Sequence, residues 1–229
     1  MGARVHFITG TDTGAGKTLF TALLLAHLRA NGLRALAIKP VCTGPRDDVR
    51  LLQSLQPGEL TDAEMNPFHF RKPAAPVVAG QGRGVSPAKV ARSVSHIKRK
   101  CDILLVEGAG GLMVPLGGRA TWEDVLGRLQ CPVWLVAHNR LGAINHTLLT
   151  AKRLESAWNS AAGVILMNRQ RRSDQERAVS ENKTVLAGFL RKTPLFEVPF
   201  LGESVANEAG ILRGRKKIKK TLEVCAKML

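Results

Sequence analysis

Lys17 and Thr18 follow the glycine-rich turn Gly10-Thr11-Asp12-Thr13-Gly14-Ala15-Gly16 and are the first candidates for chemistry. An ammonium beside a run of backbone N–H groups suits a polyphosphate. The amides of Gly14 to Thr18 can wrap it, a helix N-terminus behind them adds a positive field, and Lys17 can reach the outer phosphates. Thr18 would then offer its hydroxyl to a Mg2+ ion. The pattern departs from the standard phosphate loop, because Thr11 stands where the first glycine is expected and Gly10 lies one residue too early. The second candidate is Glu107, which closes the apolar run Ile103-Leu104-Leu105-Val106 and precedes Gly108-Ala109-Gly110-Gly111. A strand that delivers an acid to a glycine loop is how a P-loop protein brings a second acidic group to its metal. Mg2+ takes oxygen ligands and keeps several waters, so Thr18, Glu107, one nearby aspartate and phosphate oxygens form a coherent set. Lys39 is the third candidate, at the end of Ala35-Leu36-Ala37-Ile38. Either it points into the crevice where the strands end, or its stem packs on the sheet edge and its head reaches water.

These groups need strands that end together and helices that begin beside them. Val5 to Thr9 is apolar and partly β-branched, and Lys17 to Asn31 is amphipathic with Gly32 to stop it, so the phosphate loop lies between a strand and a helix. Ala35 to Lys39, Asp102 to Glu107, Pro132 to Ala137, Gly163 to Asn168 and Thr193 to Pro199 read as further strands. Helices are expected over 48–55, 87–98, 121–129, 147–157 and 213–228, with another opened by the capping-box spacing Ser173-Asp174-Gln175-Glu176. Asp47 or Asp48 can cap the second of these helices, Ser86 with Pro87 starts the third, and Asn145 can cap the helix from Thr147. Pro67 to Gly84 reads as a long irregular connection. Strand and helix alternate throughout, which predicts an α/β fold: one domain over 1–229, a mostly parallel sheet with helices on both faces, of P-loop NTPase type.

Composition narrows the function classes. The chain of 229 residues has 45% hydrophobic content, enough for one sizeable core. It has no apolar run of transmembrane length and no secretory leader at its start, so a cytoplasmic protein without a membrane partner is expected. Cys42, Cys101, Cys131 and Cys225 lack metal-ligand or redox spacing and read as free thiols. Against 18 Asp and Glu stand 34 Lys and Arg, a formal net charge of +16. The basic clusters, Arg169 to Arg172 and Arg213 to Lys220 among them, have no aromatic residues between them. A base-stacking platform for nucleic acid is therefore not indicated.

Taken together, Gly10-Thr11-Asp12-Thr13 with Gly16-Lys17-Thr18, Lys39-Pro40-Val41, Val106-Glu107-Gly108-Ala109-Gly110-Gly111, and Leu141-Gly142 with Ile144-Asn145-His146 resemble the dethiobiotin synthetase family, in order from Val5 to Leu201. The resemblance implies an ATP- and Mg2+-dependent enzyme that makes a cyclic urea from 7,8-diaminononanoate and CO2. It implies that Gly14, Ala15, Gly16, Lys17 and Thr18 hold the ATP phosphates, and that Thr18, Asp48 and Glu107 form the Mg2+ set. Lys39 resembles the family's active-site lysine and would act with Lys17. Thr43 takes the place of a serine that meets the substrate, and Thr11 and Asn145 join it on the substrate side. Gly108, Ala109 and Gly110 resemble the glycine loop beside the nucleotide, and Asn168 resembles the adenine-reading asparagine. Pro199-Phe200-Leu201 is similar to the adenine-side Pro-Trp-Leu, with Phe for Trp. The family also implies a homodimer with the diamine site at the subunit interface. Departures are Ala75-Pro76-Val77 where Ser-Pro-His is usual, Arg169 after Asn168, and Ala206 where a ribose-side glutamate is expected, flanked by Glu203 and Glu208. The competing reading is a ParA- or MinD-like ATPase on DNA or membrane, which the basic charge favours. Such proteins carry a lysine where Asp12 stands.

Overall fold

The strand expected at Val5 forms as β1 (Arg4–Gly10), buried from His6 onward. In the computed structural model, which describes residues 2–158, 161–168 and 177–229, β1 turns through the glycine loop into α1 (Lys17–Ala30). The chain then lays down β2 (Ala35–Ile38), β3 (Val41–Thr43), α2 (Asp47–Ser54), α3 (Asp62–Met65), β4 (Phe68–Phe70), α4 (Pro76–Ala79) and α5 (Pro87–Ile97). Next come β5 (Ile103–Gly111), α6 (Trp122–Leu129), β6 (Val133–His138), α7 (Ala143–Trp158), β7 (Gly163–Met167), α8 (Arg177–Ser180), α9 (Asn182–Phe189) and β8 (Leu195–Val198). A 3-10 turn at Glu203–Ala206, α10 (Glu208–Lys217) and α11 (Lys219–Lys227) follow.

The main sheet has six strands in the order β2-β5-β1-β6-β7-β8, and every neighbouring pair is parallel. From β1 the chain crosses to β2 on one side of the sheet, whereas β6 leads to β7 in the opposite direction. Right-handed crossovers then place α1 and α7 on opposite faces, as expected of a doubly wound fold. The change of direction falls beside β1, so the phosphate loop opens into the crevice where such sheets bind ligands. α1 is buried along most of its length, with α10 and α11 packed over it.

The structure corrects several sequence expectations. Glu107 is not at a strand end: β5 runs on through the glycines to Gly111, with Ile8 opposite Glu107 and Gly10 opposite Gly111. Glycine is needed there because a Cβ on Gly108 would lie 2.9 Å from the Phe7 ring. The Pro67–Gly84 connection contains β4, which pairs with β3, and α4. Three-residue strands are too short to show periodicity. Asp47 and Asp48 are the first residues of α2 behind the cap position of Arg46, and neither caps it. α7 begins at Ala143, so Asn145 lies inside its first turn and is not its cap. The basic terminal helix starts earlier, at Glu208 behind the Asn207 cap, and breaks at Ile218 into α10 and α11. Ile211, Leu222 and Cys225 supply the apolar stripe that holds both pieces down. The Ser173 capping box and the Arg169 to Arg172 cluster lie outside the described residues.

Candidate active site

Gly16 occupies the cap position of α1 at φ 102°, and a Cβ there would come within 2.9 Å of Met167. Lys17 folds back along the loop, its Nζ donating to the Asp12 carbonyl at 3.0 Å. Burial pulls the Lys17 ammonium down to about 8, with the negative charge of Glu107 opposing the drop. A group desolvated in this way interacts strongly with any phosphate that reaches it.

Beneath the loop lies a charge cluster drawn from four separate segments. Glu107 is 0% exposed, and its Oε1 accepts from Thr18 Oγ1 at 2.7 Å and from Lys39 Nζ at 2.7 Å. Lys39 Nζ also donates to the Asp48 carboxylate, which is half exposed at the cavity wall. Burial would lower the Lys39 pKa, but Glu107 and Asp48 outweigh it and hold the ammonium above its ordinary value. For Asp48, burial works upward, and the charge and hydrogen bond of Lys39 carry its carboxyl below the usual range. Asp47 also lines the cavity but pairs with Arg50 at 3.1 Å, so Asp48 is the aspartate that joins the cluster.

A divalent cation fits this donor set. Glu107 Oε2 is buried without a hydrogen-bond partner among the described residues, although its twin oxygen has two. An acceptor-only oxygen left in this state is costly unless something cationic meets it. Thr18 and Asp48 stand beside it with hard oxygen donors. No group of three or more His, Cys, Asp or Glu side chains placed to hold a metal ion lies among the described residues, so a cation here would take its other ligands from water and phosphate.

The cluster opens into a cavity of about 570 Å3. Its walls bring together Gly14, Gly16, Lys17, Thr18, Lys39, Thr43, Asp48, Ala109, Gly110, Asn168, Phe200 and Leu201 from the sequence-predicted set. Glu107 and Gly108 lie below the wall in β5, and Pro199 is exposed next to Phe200. Thr11 and Ala15 line a second, polar cavity of about 260 Å3 with Asp12, His138, Arg140 and His146. Asn145 is exposed in the first turn of α7 and lines neither cavity. Ala206, which stands where a ribose-side glutamate is expected, is on the main wall, and sequence reasoning missed Leu19, Cys42, Leu51 and Val205 there. Apolar spacing alone reads as core, and no signal marks these residues as lining. At the far end Asn168 follows β7, accepting from Asn139 Nδ2 at 2.8 Å and donating to Glu197 Oε1 at 2.7 Å.

A parallel sheet whose central strand feeds a glycine loop, a Lys-Thr pair and a helix, with a buried acid from the next strand beneath, defines a nucleotide-binding protein of the P-loop NTPase class. The chain matches the AAA domain family over residues 4–203. It is 33% identical over 204 residues to the ATP-dependent dethiobiotin synthetase BioD of Akkermansia muciniphila, spanning 88% of this chain and 92% of that one. It is also 39% identical to BioD of Bacillus subtilis (71% and 74% covered) and 32% identical to BioD 1 of Escherichia coli O157:H7 (89% and 94%). The chain belongs to the dethiobiotin synthetase family. Among solved structures it resembles the cell division ATPase MinD of Pyrococcus furiosus at TM-score 0.61 and 18% identity, covering 96% of this chain and 100% of that one. It resembles pNOB8 ParA bound to nonspecific DNA at TM-score 0.59 and 14% identity, covering 98% and 99%. At such identities these two show the fold alone.

Proposed function

We propose that this chain forms dethiobiotin from 7,8-diaminononanoate, CO2 and ATP, with Lys17, Lys39, Thr18, Asp48 and Glu107 as the working set. The observation that carries the reading is the Lys39–Glu107–Thr18 junction under the phosphate loop, in a chain so similar to named synthetases. One substrate amine adds to CO2 and becomes a carbamate. A carbamate oxygen then attacks the γ-phosphorus as the bond to the ADP oxygen breaks. The second amine attacks the carbonyl carbon of the resulting mixed anhydride, phosphate leaves, and the urea ring closes.

The protein's part is placement and charge. Lys17 meets the β- and γ-phosphates, and Lys39, held on Glu107 and Asp48, presents an ammonium to the oxygens where negative charge spreads. Thr18, Asp48 and Glu107 would hold a Mg2+ ion, which would further neutralise the phosphate charge. Holding both amines by one carbonyl makes closure intramolecular, a gain of up to about 7–11 kcal/mol. Thr43 faces the substrate from the cavity wall, while Thr11 and Asn145, on the other side of the loop, fit a diamine site completed by a second subunit. Asn168 reads the adenine, with Phe200 and Leu201 beside it.

The test is turnover. ATP hydrolysis by the purified protein should require 7,8-diaminononanoate and CO2, with dethiobiotin detected as product. Hydrolysis that ignores the diamine would exclude this activity.

A further inference from the structure

Three asparagine amides and one carboxylate form a single hydrogen-bonded row across the ends of β6, β7 and β8. Asn182, the first residue of α9, donates through Nδ2 to the Arg140 carbonyl at 3.3 Å and to Asn139 Oδ1 at 2.9 Å. Asn139 Nδ2 donates to Asn168 Oδ1 at 2.8 Å, and Asn168 Nδ2 donates to Glu197 Oε1 at 2.7 Å. Asn139 and Asn182 are buried, and Asn168 is partly buried on the nucleotide cavity wall. The backbones are fixed too: Asn139 N donates to Met167 O and Asn168 N to Val198 O, each at 2.9 Å.

The direction of this row is dictated by its ends. A backbone carbonyl and a carboxylate only accept, whereas an amide side chain can present either its oxygen or its nitrogen to a neighbour. With acceptors at both termini, one sense of donation satisfies every member, from Asn182 to Asn139 to Asn168 to Glu197. Turning the Asn168 amide over would set oxygen against oxygen at Glu197 and nitrogen against nitrogen at Asn139. Its remaining N–H and its remaining lone pair therefore sit at fixed places on the cavity wall. Adenine carries an amino donor at position 6 where guanine carries a carbonyl acceptor. An amide free to turn over serves both bases, and a locked one serves one.

We propose that Glu197, acting through Asn168 with Asn139 and Asn182, is a specificity-determining positioning residue that locks the amide polarity by which the enzyme takes ATP over GTP. The inference rests on the reading of Asn168 as the adenine contact, and the two can fail separately. Turnover with diamine and CO2 saturating would be measured against ATP and against GTP. Asn168→Ala should erase the ATP preference; if it does not, the reading of Asn168 falls. Glu197→Leu should narrow the ATP:GTP ratio of kcat/KM by about tenfold, the size of one hydrogen bond, and through KM instead of kcat. Glu197→Gln keeps an oxygen for Asn168 and should restore most of the ratio. In the double variant Asn139→Asp/Glu197→Gln the acceptor-only group moves to the other side of Asn168, and the preference should shift toward GTP. If Asn168→Ala loses discrimination while Glu197→Leu or the folded double variant keeps the wild-type ratio, the proposal is overturned. It is equally overturned if Glu197→Gln is no better than Glu197→Leu, or if kcat falls with both nucleotides alike, since a merely structural role predicts that.

Discussion

Lys17 is the cation aimed along the phosphate loop, and removing it strips a charge-assisted contact that no other loop side chain can supply. Such contacts contribute about 1.5–3 kcal/mol. Lys17→Ala should therefore weaken ATP binding by about 10- to 150-fold in calorimetry, and unchanged affinity would remove Lys17 from the phosphate site. Glu107→Gln tests the cation set. The amide keeps the shape between Thr18 and Lys39 but loses the charge that a hard cation requires. Titrating turnover with Mg2+ should show apparent affinity reduced on the order of 10- to 100-fold, the usual scale for disturbing a metal's ligand shell. Identical titrations would free Glu107 from that role. Both residues were legible in the sequence because rare chemistry marked them: a lysine after glycines, and an acid in an apolar run. The pairing of Lys39 with Asp48 was not legible from spacing, since Asp47 is its equal there, and only the start of α2 decides which one reaches Lys39.

At the level of elements, the loop works because the backbone at Gly16 adopts a conformation that L side chains avoid. Gly16→Ala should lower stability by about 1–2 kcal/mol for the left-handed conformation, plus the overlap with Met167. The melting temperature should fall by about 2–4 °C per kcal/mol. In a Met167→Ala background, where the overlap is absent, Gly16→Ala should cost only the backbone part; no cost there would place the whole effect in packing. The same close approach explains a misread element. Gly108 to Gly111 looked like a loop after a strand, yet they continue β5. Phe7 packs where a side chain on Gly108 would stand, and the Ala109 carbonyl accepts from Trp122 Nε1 at 2.8 Å while Trp122 leans on Phe7 with ring centroids 5.3 Å apart. Glycine content marks a turn in sequence, but here it records tertiary crowding. The long strands and helices were legible from their periodicity. β3 and β4, at three residues each, pair only because the fold brings them together.

For the molecule as a whole, the parallel sheet, its order of alternation and the crevice beside β1 followed from the sequence, whereas the basic surface did not find a place in the site. Arg213, Lys216, Lys217 and Lys220 are exposed on α10 and α11, and none of them lines the nucleotide cavity. Lys216→Glu/Lys217→Glu/Lys220→Glu should leave diamine-dependent turnover within about twofold of wild type, because salt screens solvent-exposed charges that do not contact the site. A collapse of turnover would tie this surface to catalysis. No helix among the described residues is long and apolar enough to cross a membrane. The likeness to MinD and ParA is one of fold. The most direct test compares steady-state turnover of wild type and folded Lys39→Met, with and without diamine and with and without DNA. Loss of a donor used in the transition state should cut diamine-dependent kcat by about 10²- to 10³-fold while ATP still binds. Unchanged kcat in Lys39→Met, or hydrolysis stimulated by DNA and indifferent to the diamine, would contradict it.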